Sequence, residues 1–140
     1  MIINPYLNFL GNTEEAFNFY KSVFGGEFSS LVRFKDTPEA AKMTPENANK
    51  LMHVALPIGK DNMLMATDAL ESMGHKVTQG NQISLSVNTD SREDADRIYT
   101  GLSAGGKAEM PMSDMFWGDY WGMLDDKFGI KWMIAYSKPR

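Results

Sequence analysis

Two stretches of the chain carry the same order of hydrophobic and polar positions. Residues Ile3 to Leu10 mix apolar and polar side chains and stop at Gly11-Asn12, which predicts a strand and a turn. Asn12, with Glu15 three residues on, has the form of a capping box. Ala16, Phe19, Tyr20, Val23 and Phe24 then recur at helical spacing until Gly25-Gly26. Gln82 to Asn88 alternates strictly, with Ile83, Leu85 and Val87 on one side and Gln82, Ser84, Ser86 and Asn88 on the other. Ser91 and Asp94 open a second helix, striped by Ala95, Ile98, Tyr99 and Leu102 and ended by Gly105-Gly106. Glu14, Ala16 and Tyr20 return as Glu93, Ala95 and Tyr99 at one constant offset, the mark of a duplicated unit.

Each helix is followed by three strand-like runs. In the first half these are Glu27 to Phe34, Leu51 to Ile58 and Asn62 to Thr67; in the second, Lys107 to Met112, Tyr120 to Leu124 and Lys131 to Tyr136. The expected architecture is an α+β fold of two tandem βαβββ modules, roughly 1–68 and 80–137, in one domain spanning 1–140. Asp36 to Lys50 is polar, carries Pro38 and Pro45, and reads as a loop with room for a helical turn.

Composition narrows the function classes. The chain has 140 residues, 43% hydrophobic and 23% charged, enough to bury a core without cross-links. Its net charge of −4 disfavours a broad nucleic-acid or anionic-membrane footprint. Without cysteine there is no disulfide, thiolate metal site or thiol nucleophile. The start lacks a basic region followed by an apolar run, and no apolar stretch is long enough for a membrane helix, so a cytoplasmic location is expected.

Three groups of residues, in order along nearly the whole chain, carry a resemblance. They are Pro5-Tyr6-Leu7-Asn8-Phe9 with Phe24-Gly25-Gly26, then Met52-His53-Val54-Ala55-Leu56 with Leu64-Met65-Ala66-Thr67-Asp68, then Phe116-Trp117-Gly118-Asp119-Tyr120-Trp121-Gly122 with Asp126-Lys127-Phe128-Gly129. The chain resembles the vicinal-oxygen-chelate superfamily of glyoxalases, bleomycin-resistance proteins and extradiol dioxygenases, and within it the PhnB-like branch. The resemblance implies curved mixed sheets that enclose a cavity, commonly in a homodimer. Metal-dependent members hold a divalent ion with His, Glu or Gln from four strands, leaving positions open to two substrate oxygens. Carried over, these positions fall on Pro5, on Met65 or a neighbour, on Gln82 and on Met133. Proline and thioethers do not suit Mg²⁺, Mn²⁺, Ni²⁺ or Zn²⁺, and thioethers favour copper(I). The chain has only His53 and His75 besides. The superfamily's metal centre is therefore expected to be lost, and no cofactor is expected. Some PhnB-like proteins carry a demethylubiquinone methyltransferase label, but both Gly pairs follow helices and read as C-terminal stops, not as a nucleoside-binding turn.

His53 alternates away from Met52, Val54, Leu56 and Ile58, toward the implied cavity, where it is either a general base or ligand partner, or a histidine satisfied by its neighbours. Gln82 and Ser84 are hydrogen-bonding candidates. Met63, Met65 and Met133 share the inward side, and Trp117 and Tyr120 belong to an aromatic cluster suited to a ligand mouth, a dimer interface or a core. Asp68 and Asp126 read as turn carboxylates. Three functions stay open: a metal-free small-molecule binding protein; a metal- or His53-dependent lyase, isomerase or dioxygenase; and a structural homodimer without ligand.

Overall fold

The computed structural model describes residues 1–138 and divides into two units, Met1–Thr78 and Gln79–Arg140. The first unit holds β1 (Tyr6–Phe9), α1 (Thr13–Phe24), β2 (Ser30–Arg33), α2 (Pro45–Ala48), β3 (Leu51–Ile58) and β4 (Asn62–Asp68). Short 3-10 turns at Phe34–Asp36, Pro38–Lys42 and Glu71–Met73 fill its connections. The second unit holds β5 (Leu85–Asn88), α3 (Arg92–Ser103), β6 (Lys107–Asp114), β7 (Asp119–Asp125) and β8 (Lys131–Ser137). The sheet orders are β1-β4-β3-β2 and β5-β8-β7-β6. In each, the first strand pairs parallel with the last and the other pairs are antiparallel. The tandem βαβββ fold is thus present, with the same topology in both units.

One helix covers one face of each sheet. α1 packs on β3 and β4, and α3 on β6, β7 and β8. Ala16, Phe17 and Tyr20 of α1 are completely buried, together with Val54, Leu56 and Ala66 of the sheet. Burying side chains of the Phe17 or Leu56 kind stabilises by roughly 2–3 kcal/mol each. Phe17 belongs to this stripe, whereas Phe19 and Phe24, expected in it, are only half-buried. In the second unit Ala95, Ile98, Tyr99 and Leu102 are all buried, as their spacing predicts. The Tyr99 hydroxyl lies 2.9 Å from the Met110 carbonyl and 3.1 Å from that of Met123, fastening α3 to β6 and β7. Gly122 makes room for it: a Cβ there would sit 3.0 Å from the Tyr99 ring and 2.9 Å from the Met110 carbonyl oxygen.

Four local expectations are corrected. The first strand starts at Tyr6, after Pro5, which has no N–H for a ladder. β2 is shorter than Glu27 to Phe34. Strand β5 starts at Leu85, because the pairing Leu85↔Trp132 leaves Gln82 and Ile83 running past the start of β8 at Lys131. Ile83 is consequently 78% exposed instead of lying on an apolar face. Finally, the Asn12 side chain makes no cap to α1.

The capping role falls to a distant residue. Asp68, at the end of β4 and 2% exposed, accepts hydrogen bonds at Oδ1 from the Thr13 N–H (3.0 Å) and Thr13 hydroxyl (2.7 Å). Its Oδ2 accepts from the Leu51 N–H at 2.8 Å. One carboxylate thereby joins the start of α1, the start of β3 and the end of β4. In the second unit Ser91 caps α3 itself, accepting from the Asp94 N–H at 3.0 Å. Asp68→Ala is expected to cost about 3 kcal/mol in urea unfolding, since it strips partners from buried donors. Ser91→Ala should cost about 1 kcal/mol, and Asn12→Ala less than about 0.5 kcal/mol. A large loss on Asn12→Ala would contradict this division of labour.

Candidate functional site

The uncovered face of each sheet follows from strand register. In the first unit Tyr6 pairs with Met65 and Met65 with Ala55; one step along lie Asn8 and Thr67, then His53, which pairs with Val32. These side chains stand on the face turned away from α1, because Val54, Leu56, Leu64 and Ala66, which alternate with them, are buried on the helix side. His53 and Met65 therefore share the face expected of them. Pro5 does not supply the residue of β1 beside them: Tyr6 does.

Tyr6 and His53 meet over the central strand. They come from β1 and β3, which are separated by β4. The Tyr6 hydroxyl lies 3.0 Å from His53 Nδ1, and the rings stack with centroids 5.8 Å apart at 30°. Burial pushes the Tyr6 phenol above its ordinary value. Tyr6 is nevertheless 44% exposed, and His53 is half-buried. Beside them, Met63 is within reach of the Ser29 hydroxyl at 3.5 Å.

In the second unit the uncovered face carries Met110, Met123 and Met133 in one row across β6, β7 and β8, with Ser86 of β5 beside Met133. Trp121 lies one register step away on that face, opposite Ala135. Trp117 projects from the β6–β7 turn, 52% exposed, its Nε1–H donating to Asp119 at 3.0 Å and its ring edge-on to Trp121 at 6.2 Å. Phe116 beside it is 98% exposed. The other predicted residues are placed elsewhere. Tyr120 lies on the helix side, its hydroxyl donating to Asp96 of α3 at 2.5 Å while the Arg92 guanidinium covers its ring at 3.8 Å. Gln82 is exposed ahead of β5 and Ser84 is half-buried there, both outside the ladder. Tyr6 was missed because the family comparison directs attention to Pro5; the alternation Tyr6-Asn8 beside Leu7-Phe9 carried the signal.

Two polar hollows are lined by ion-paired side chains. One, of about 290 Å³, is lined by Glu14, Arg33, Lys50 and Asp68 among others. There Arg33 makes a two-pronged pair with Glu14 at 2.6 and 2.9 Å and donates to the Asn49 carbonyl, and Lys50 donates to the Gly11 carbonyl. The other, of about 450 Å³, includes Lys131 and Asp125. Lys131 bridges Asp125 at 2.8 Å and Glu109 at 3.2 Å, which holds the Asp125 carboxyl below its usual range and the Lys131 amine above its own. Asp126 is buried and fixes the β7–β8 turn, accepting from the Phe128 and Ile130 N–H groups and from Trp132 Nε1. His75 accepts from the Leu70 N–H in the connection after β4.

The donor set does not match a divalent-metal centre. Among the described residues no three His, Cys, Asp or Glu side chains gather where they could hold an ion. The uncovered faces offer thioethers, an imidazole and hydroxyls, and the two carboxylates at the ends of β7 already have partners: Asp119 accepts from Trp117 and Ser137, and Asp125 from Lys131. Nor does either strand-to-helix turn build a Gly-rich nucleoside cradle: these turns read Leu10-Gly11-Asn12 and Thr89-Asp90-Ser91.

Solved structures share this fold. A glyoxalase/bleomycin resistance protein from Albidiferax ferrireducens T118 superposes with a TM-score of 0.65 at 17% identity, covering 99% of each chain. Protein PA1353 from Pseudomonas aeruginosa gives a TM-score of 0.86 at 33% identity, covering 99% of each chain. The PhnB protein from Bacillus cereus, described as a putative 3-demethylubiquinone-9 3-methyltransferase, gives 0.78 at 26% identity, covering 98% of this chain and 100% of that one. Protein YjdN of Escherichia coli (strain K12) is 30% identical over all of this chain and 98% of its own length. Residues 2–135 match the family described as 3-demethylubiquinone-9 3-methyltransferase. The chain therefore belongs to that PhnB-like family, with the fold of the glyoxalase/bleomycin-resistance superfamily.

The Glu14–Arg33 pair sets an acid dependence. Its guanidinium holds the Glu14 carboxyl below the ordinary range, so the pair stabilises the fold above that range and is lost as pH falls through it. Because the Glu14 side chain is 45% exposed, solvent screening limits this to under about 1 kcal/mol. Wild type should exceed Glu14→Gln in urea midpoint near pH 7, and the two should converge near pH 3. A constant difference across that range would contradict the assignment.

Proposed function

We propose that this protein binds a small apolar or aromatic molecule without a metal ion, against the uncovered face of its first sheet. The observation that carries the reading is the Tyr6–His53 pair standing over Met65. Ligand sites combine an apolar lining with a few placed polar groups, and adaptable thioethers suit ligands of varied shape. His53, Met65 and Tyr6 are the proposed contacts. On the second unit, taken by itself, Met133 of the uncovered face and Trp117 of the β6–β7 turn are separate candidate contacts. Tyr120 bonds to Asp96 of α3, and Gln82 and Ser84 lie ahead of β5, so these three are left out of the proposed contact set. A cytoplasmic homodimer is part of the same proposal. A second reading, His53 as a base acting on a carbonyl compound, is favoured by its partial exposure.

Phenol is a suitable probe. Titrated into protein labelled at the methionine methyls, it is expected to shift Met63 and Met65 but not Met73, which lies in the 3-10 turn after β4. Elemental analysis should find no stoichiometric transition metal, and native mass spectrometry should show the dimer mass. Unshifted Met63 and Met65 at saturating phenol, or a tightly held stoichiometric metal, would overturn the proposal.

A further inference from the structure

We infer that Tyr6 fixes His53 with its proton on Nε2, so that the first sheet's uncovered face selects a neutral carbonyl oxygen on an apolar or aromatic body. The inference rests on the binding role proposed above and names the chemistry that role takes.

A neutral imidazole has one donor nitrogen and one acceptor nitrogen, and the partner of the first decides the role of the second. Among the described residues, the Tyr6 hydroxyl and His53 Nδ1 are each other's hydrogen-bond partner, at 3.0 Å. Were Nδ1–H to donate to the phenol oxygen, the exposed Tyr6 O–H would turn to water, and the choice between the two arrangements falls to donor and acceptor strength. A phenol is a better donor than acceptor, and imidazole nitrogen is the stronger acceptor of the two. The O–H of Tyr6 therefore donates to Nδ1, and the ring proton sits on Nε2. The phenol is protonated at neutral pH, as any tyrosine is, and so has an O–H to donate. Stacking at 30° across β4 holds the imidazole plane in place.

The free ring edge thus offers a donor. The surrounding face decides which acceptor suits it. The residues sharing the register there are Asn8, Met63, Met65, Thr67, Ala55 and Val32, none of them charged. A carboxylate brought to this face would lose water without gaining a cation, which is costly. A ketone, quinone or amide oxygen loses little and accepts one good hydrogen bond. A ligand presenting only a donor would meet Nε2–H head-on.

Acetophenone and ethylbenzene test this, since they match in shape and differ in the acceptor. Long-range proton–nitrogen NMR of the full chain is expected to show His53 protonated at Nε2, and Tyr6→Phe to relax it toward a mixture of tautomers. Wild type is expected to bind acetophenone roughly fivefold to tenfold tighter than ethylbenzene, the worth of one hydrogen bond. Benzoate should bind more weakly than acetophenone. His53→Ala should erase the acetophenone preference while leaving ethylbenzene binding in place; Tyr6→Phe should reduce it. Protonation at Nδ1 in the wild type, equal binding of the two compounds, or a preference that survives His53→Ala overturns the inference alone. Binding of neither compound overturns the binding role as well.

Discussion

A four-stranded sheet has two faces, and in each unit of this protein a single helix covers one of them. That constraint shapes everything else. α1 and α3 take the apolar stripe of their sheets, and the alternate positions of the same strands are left to other uses. On the first sheet those positions are Tyr6, His53, Met65 and Thr67; on the second they include Met123, Met133 and Trp121. The residues with chemical interest are thus fixed by register, not by a loop that collects them. A slip by one residue would send Tyr6 under the helix and Leu7 onto the uncovered face.

Register in the first unit depends on a buried carboxylate. Asp68 holds the N-terminus of α1 and the first residue of β3, and it lies opposite Phe9 in the β1–β4 ladder. The same ladder aligns Tyr6 with Met65. The helix cap, the strand pairing and the placement of the Tyr6–His53 pair are therefore one connected arrangement. The second unit manages without such a carboxylate because Ser91 supplies its own cap, and Asp126 instead secures the last turn. The two units share one topology and fasten it differently.

Much of this was legible in the chain. Periodicity located both helices and the strands Leu51–Ile58 and Lys131–Ser137 to within a residue or so, because alternation and helical spacing are local signals. Long-range bonds were not legible. Asn12 looked like a cap, yet nothing in its neighbourhood announces that Asp68 arrives from the far end of the unit. Gln82 and Ile83 alternate as a strand should, but a strand needs a partner, and β8 starts too late to give them one. Tyr120 belongs to an aromatic-rich run, and only the sheet's register shows that it faces Asp96 and Arg92. Of the candidate site, His53 and Met65 were visible from alternation alone, whereas the partnership with Tyr6 required two strands separated by a third.

The central claim is that a small molecule lies against Tyr6, His53 and Met65. Intermolecular nuclear Overhauser effects from a bound aromatic ketone report this contact directly. The account predicts cross-peaks from the ligand to the Tyr6 and His53 ring protons and to the Met65 methyl. Cross-peaks confined to the Glu14–Arg33 hollow, or to residues packed beneath α1, would contradict it.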